Sequence, residues 1–240
     1  AGEPWLLLPF VYAHRKKGTF TEYAHSISHR GILDLIETFP NKMEDYNKHL
    51  ADFATNVYTS ASDPDAVYFL DKTPRYYLII DDLQKLFPEA KFIFLFRNPV
   101  QIYASIMSTW SKKSFKIFSK FRFYDDIMHG FNMLSSGYKS MQAQTYAVQY
   151  ERFTAEPDKV VNEILSFLEL EHEEQLADTI LKTEKRGRNY DPTMDVNRKL
   201  DSSSIEKWKS VFNTNYRKAR LTDYINGLPK ESLEAQGYNK

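Results

Sequence analysis

The sequence contains no cysteine. Disulfides, thiolate zinc sites and a cysteine nucleophile are excluded, and a reducing compartment is favoured over a secretory one. Its eight glycines are scattered. Neither G-x-x-x-x-G-K-[ST] nor G-x-G-x-x-G occurs, so no glycine-rich phosphate cradle is visible. Charge of neither sign is in excess, with 32 Lys+Arg against 32 Asp+Glu, and no nucleic-acid partner is implied. No apolar run approaches the roughly 18–20 residues of a membrane span. The early candidate, Trp5 to Val11, is interrupted by Pro9. No secretory pattern opens the sequence as given, and the expected location is cytoplasmic. Aromatic side chains are plentiful, with 16 Tyr and 17 Phe, which suits a dense core and a ring-lined pocket.

At 240 residues the chain is long enough for one ordinary domain with a full core, and a single domain over residues 1–240 is expected. The most informative stretch is Lys91–Met107, KFIFLFRNPVQIYASIM. Phe92 to Phe96 is an unbroken apolar run, the pattern of a short parallel strand buried on both faces. Asn98 suits a helix cap and Pro99 a first helical position. Val100, Tyr103, Ala104 and Met107 then recur at helical spacing. The pattern places Arg97 at the carboxyl end of a strand, the edge at which ligands collect in α/β sheets and where helix N-termini offer N–H groups to anions. Ser105 follows about two helical turns later.

This strand–Arg–Asn–Pro–helix pattern, with Ser eight residues after Arg, resembles the 3′-phosphate-binding motif of sulfotransferases that use 3′-phosphoadenosine 5′-phosphosulfate (PAPS). The preceding LDKTPRYYLIIDDLQKLFPEAKFIFLFRNP, from Leu70 to Pro99, is similar to the matching region of the broad bacterial family, which includes tyrosylprotein-like members. The resemblance runs from Gly2 to about Trp208. It implies an α/β fold, a parallel sheet flanked by helices, with P-loop nucleotide kinase-like architecture. It also implies PAPS as donor, 3′-phosphoadenosine 5′-phosphate (PAP) as product, and a small-molecule, glycan, lipid or peptide acceptor.

In the family, a strand and an RSGTT-type phosphate loop precede a segment like GEPW. That loop is absent here, and the expectation is that the sequence lacks its first strand and phosphate loop by truncation. Glu3 corresponds to the proposed general base of tyrosylprotein-type relatives, which accepts the acceptor hydroxyl's proton. His25 or His14 are alternative bases, since some sulfotransferases use His. His25 and His29 also stand one helical turn apart, a metal-compatible spacing. No cluster of acidic partners accompanies them, and no metal is expected.

Thr21 to about Phe53 reads as helical, with Tyr23, Ile27, Ile32, Leu35, Ile36 and Phe39 as its apolar stripe and Pro40 as its stop. Val67–Leu70 reads as a short strand ending at Asp71-Lys72-Thr73-Pro74, which puts Lys72 on the same sheet edge as Arg97. A helix from about Tyr76 to Phe87 completes a strand–helix–strand unit with a right-handed crossover. The basic, aromatic stretch over 111–139 reads as a helix with Phe buried and Lys solvated, with a lid over an acceptor pocket as the alternative. Tyr146–Glu151 reads as a further strand and Lys159–Leu168 as an amphipathic helix. By resemblance Tyr150 packs near the adenine; core packing is the other reading. Thr183–Leu200 corresponds to a basic loop over the nucleotide. Arg186, Arg188 and Lys207 are candidates for the 3′-phosphate, and Asp201–Ser204 caps the helix that carries Lys207 and Trp208.

Two other readings stay open. A nucleotide kinase-like phosphotransferase needs a Walker loop and Mg²⁺ ligands, and the sequence offers neither. A non-catalytic nucleotide- or partner-binding module would bind without turnover.

Overall fold

A computed structural model describes residues 3–141, 144–172, 176 and 203–239. Contacts gather the described residues up to Ala90 into one unit and those from Lys91 onward into a second.

The first unit is helical. Its elements are α1 (Leu7–Ala13), α2 (His25–Ile36), α3 (Met43–Ala61) and α4 (Ile80–Leu86), the last entered through a 3-10 turn at Tyr76–Ile79. Leu7 and Val11 lie one turn apart on α1, and Leu50 and Ala54 stand likewise on α3. These four form the core with Ile79 and Leu86. Two expectations change here. Val67–Leu70 is not a strand; Val67, Tyr68 and Leu70 are exposed, with no strand beside them among the described residues. No strand–helix–strand unit therefore precedes the central strand among the described residues. The stripe expected over 21–39 buries only Ile36 fully, while Tyr23, Ile27 and Leu35 are more than half exposed. Helical spacing alone does not say whether a partner covers the face.

The second unit contains β1 (Phe92–Phe96) and β2 (Thr145–Gln149), paired in parallel with Phe92 opposite Thr145 and Phe96 opposite Gln149. Between them run α5 (Pro99–Thr109), α6 (Phe115–Lys120) and α7 (Phe123–Ser140); α8 (Tyr150–Ala155) and α9 (Pro157–Leu168) follow. After the undescribed stretch come α10 (Ser203–Glu206), α11 (Trp208–Val211), α12 (Asn215–Gly227) and α13 (Lys230–Ala235). The class is α/β, a small parallel sheet flanked by helices.

Phe94 and Phe96 are buried against Tyr138 of α7. Ile93 and Leu95 alternate to the other face and are exposed, so β1 is buried on one face and not on both. Tyr103, Ala104 and Met107 carry α5 into a core shared with Phe118, Phe131, Phe212, Tyr224 and Leu228. Three rings meet Tyr103 at centroid distances of 4.8–5.0 Å. The basic stretch over 111–139 is two helices. Arg122, at φ +54°, breaks the run, Phe118 is buried, and Phe121 is exposed. β2 ends at Gln149, so Tyr150 opens α8 and is not a strand residue. No described helix is long and apolar enough to cross a membrane.

Candidate active site

In the first unit, Lys72 donates to Glu3 Oε1, and the indole of Trp5 donates to Glu3 Oε2 at 3.4 Å. The Glu3 side chain is largely buried, whereas that of Lys72 is 68% exposed. Neither residue lies in a helix or strand, so hydrogen bonds must fix the pair. Asp71 supplies them. Its carboxylate accepts from the phenols of Tyr58 on α3 and Tyr76 (the latter at 2.7 Å), and from Thr73 Oγ1 at 3.2 Å. Thr73, itself buried, accepts the backbone N–H of Trp5 at 3.1 Å. The Tyr76 hydroxyl accepts the N–H of Leu7 at 3.4 Å. Trp5 sits at φ +56°, a conformation that costs an L-residue energy and persists where its surroundings impose it. Burial, then the hydrogen bond to Asp71, pushes Tyr76 up to about 12 and raises Tyr58 further, so both phenols stay protonated donors.

His25 stands apart from this carboxylate network. Its Nε2 lies 2.9 Å from the Arg15 carbonyl oxygen. A carbonyl can only accept, so the proton sits on Nε2 and the basic lone pair is on Nδ1. The His25 and His29 rings stack at 6.4 Å. Among the described residues no group of three or more His, Cys, Asp or Glu could hold a metal ion. His14 packs edge-on to Tyr46 at 5.6 Å.

In the second unit the turn from β1 into α5 forms as the residue types dictate. Asn98 Oδ1 accepts the Val100 N–H at 2.9 Å, and Pro99 occupies the first helical position. Arg97, at the strand end, lays its guanidinium over the Tyr150 ring, 4.2 Å from the centroid. Its Nε donates to Oε1 of the buried Gln101 at 3.1 Å. A planar cation stacked on one side and braced at one nitrogen is held in a fixed orientation. The helix N-terminus contributes less than expected. The Asn98 N–H goes to Glu151 Oε1 at 2.9 Å, the Val100 N–H is capped, and Pro99 has none. An anion at this edge would therefore have to be held by a side chain rather than by the helix N-terminus.

Ser105 is exposed on α5, on the side away from the core-facing Tyr103, Ala104 and Met107. Lys207 is exposed between α10 and α11. Arg186 and Arg188, the Thr183–Leu200 loop, and Asp201 and Ser202 lie outside the described residues. Sequence reasoning missed Asp71, Gln101, Glu151 and Tyr238. Gln101 carried a usable signal, because it stands four residues after Arg97 on the helix that Asn98 caps.

A model of the sulfotransferase family matches residues 1–174 of the chain. The nodulation protein NoeE of Sinorhizobium fredii (strain NBRC 101917 / NGR234) is 33% identical over 114 residues, 45% of this chain and 25% of that protein. An uncharacterized protein of Aquifex aeolicus (strain VF5) is 25% identical over 181 residues, 71% of this chain and 23% of that protein. The chain thus spans about a quarter of the length of these relatives. No solved structure matches it significantly. With the family match covering most of its length, including the Arg97 turn and the Glu3–Lys72 pair, the chain belongs to the sulfotransferase family.

Proposed function

We propose that the protein transfers a sulfuryl group from PAPS to a hydroxyl or amine of an acceptor, releasing PAP. Arg97 stacked on Tyr150 at the end of β1 is the observation that carries this reading. A guanidinium stacked on a ring at a strand's carboxyl edge suits a terminal phosphate.

In the reaction the acceptor oxygen or nitrogen forms the new bond to sulfur. The bond from sulfur to the bridging oxygen of the 5′-phosphate breaks, and its electron pair leaves with PAP. The acceptor's proton passes to the Glu3 carboxylate, with His25 as the alternative base. Lys72 supplies positive charge where negative charge develops. Arg97 and Ser105 bind the 3′-phosphate, Tyr150 contacts the nucleotide, and Lys207 and Arg188 are further candidates for the phosphate. The Glu3–Lys72 pair suits this division of work: the acid and the cation already touch, and Trp5 and Asp71 hold the segments that carry them.

Incubating the protein with ³⁵S-labelled PAPS and a panel of hydroxyl and amine acceptors tests the reading. Label should move to an acceptor, with PAP as the co-product and competitive inhibitor. Binding of PAP with no transfer to any acceptor would make the protein a binding module instead.

A further inference from the structure

Glu151 poses an electrostatic difficulty for the nucleotide site. It follows Tyr150, whose ring underlies the Arg97 guanidinium, and it bonds Asn98, the residue after Arg97. A carboxylate turned onto a partly buried guanidinium would cancel the charge that a phosphate needs. Both of its oxygens carry other donors. Oε1 accepts the Asn98 N–H at 2.9 Å, and Oε2 accepts the Tyr238 hydroxyl at 2.8 Å. Burial first, then Glu151, raises the Tyr238 pKa, while the charge of Arg97 lowers it; the phenol therefore lies within the field of both groups.

The chain delivers Tyr238 by specific means. α13 ends in a Schellman turn: Tyr238 N–H bonds the Leu233 carbonyl at 2.9 Å and Gly237 N–H bonds that of Glu234 at 3.0 Å. Gly237 has φ +78°, and a Cβ there would lie 2.4 Å from Gln149 Nε2. Gln149, the last residue of β2, donates to the Gln236 carbonyl at 3.1 Å. The buried Gln236 side chain donates in turn to Phe131 O and Ser135 Oγ on α7. Tyr238 thus reaches Glu151 from a segment beyond the 1–174 that the family model matches.

We propose that Tyr238 is a positioning residue of the nucleotide site, holding the Glu151 carboxylate toward Asn98 so that it does not compete with phosphate for Arg97. The inference rests on the reading of Arg97 as the 3′-phosphate ligand.

Titration calorimetry with PAP on the whole chain tests it. Tyr238→Phe removes one hydrogen bond to a charged acceptor and should weaken PAP binding about 5–30-fold. Glu151→Gln in the Tyr238→Phe background removes the competing charge and should restore affinity to within about threefold of wild type. Glu151→Gln alone should bind PAP at least as tightly as wild type, which keeps the test available if Tyr238→Phe folds poorly. A double variant as weak as Tyr238→Phe would make Tyr238 a packing residue and overturn the proposal. So would Tyr238→Phe binding PAP as wild type while Arg97→Ala does not. If Arg97→Ala also binds normally, the reading of Arg97 itself fails.

Discussion

The backbone N–H of Trp5 donates to Thr73 Oγ1 at 3.1 Å, joining segments 68 residues apart in the sequence. That bond ties the strained Trp5 to the residue after Lys72, and Thr73 Oγ1 donates in turn to Asp71. The geometry of the Glu3–Lys72 pair therefore depends on the Asp71 carboxylate.

Replacing that carboxylate should be costly. Asp71→Asn leaves one carbonyl acceptor where Tyr58, Tyr76 and Thr73 now donate, and it turns an amide N–H₂ toward hydroxyl donors. Urea unfolding should show a loss of about 1–3 kcal/mol. In a Tyr58→Phe background the further loss should be smaller, because the two changes share an interaction. Additive losses would mean that Asp71 does not organise the network.

Stability should also carry a histidine signature. Burial holds His14 below its usual 6.5, with Asp82 opposing and Arg15 and His29 reinforcing the depression. Tyr46 packs against its ring, and Arg15 pairs with Asp82 beside it. The folded protein binds this proton less readily than the unfolded chain. The stability tied to neutral His14 is therefore complete above about 6.5 and is lost as pH falls toward the lower folded value. Between about pH 7.5 and about pH 5.5, wild type should lose more unfolding free energy than His14→Gln. Equal losses would place the titration elsewhere.

What the sequence disclosed is what local chemistry determines. The Phe92–Phe96 strand, the Asn98 cap, Pro99 at the helix start and the buried face of α5 all follow from adjacent residues, and all are present. The Arg97–Tyr150 stack was only half legible: resemblance singled out both residues, but their contact spans 53 positions. Asp71 with Tyr58, and Glu151 with Tyr238, were not legible at all, because those bonds link residues 13 and 87 positions apart and leave no periodic trace. Val67–Leu70 was misread for a related reason. Apolar β-prone residues make a strand only beside another strand, and here they lie exposed.

Glu3→Gln probes the chemical step. The substitution keeps the shape of the side chain and one carbonyl acceptor where Lys72 and Trp5 now donate to two oxygens, while abolishing the proton acceptor. With PAPS and a working acceptor, kcat should fall by about 10²–10⁴-fold, with donor affinity nearly unchanged. His25→Ala should be milder, since His25 stands apart from the hydrogen-bonded network that holds Glu3 and Lys72. A dead His25→Ala beside an active Glu3→Gln would move the base to His25.

The central claim is that a 3′-phosphate binds the Arg97 guanidinium, and titration calorimetry with PAP and with the analogue lacking the 3′-phosphate reads it directly. Wild type should prefer PAP. Arg97→Ala should weaken PAP by about 2–4 kcal/mol, and Arg97→Lys should not restore it, because an ammonium cannot form the bidentate fork. The analogue's affinity should change little in either variant. Unaltered PAP affinity in Arg97→Ala, or equal losses for both nucleotides, would contradict the account.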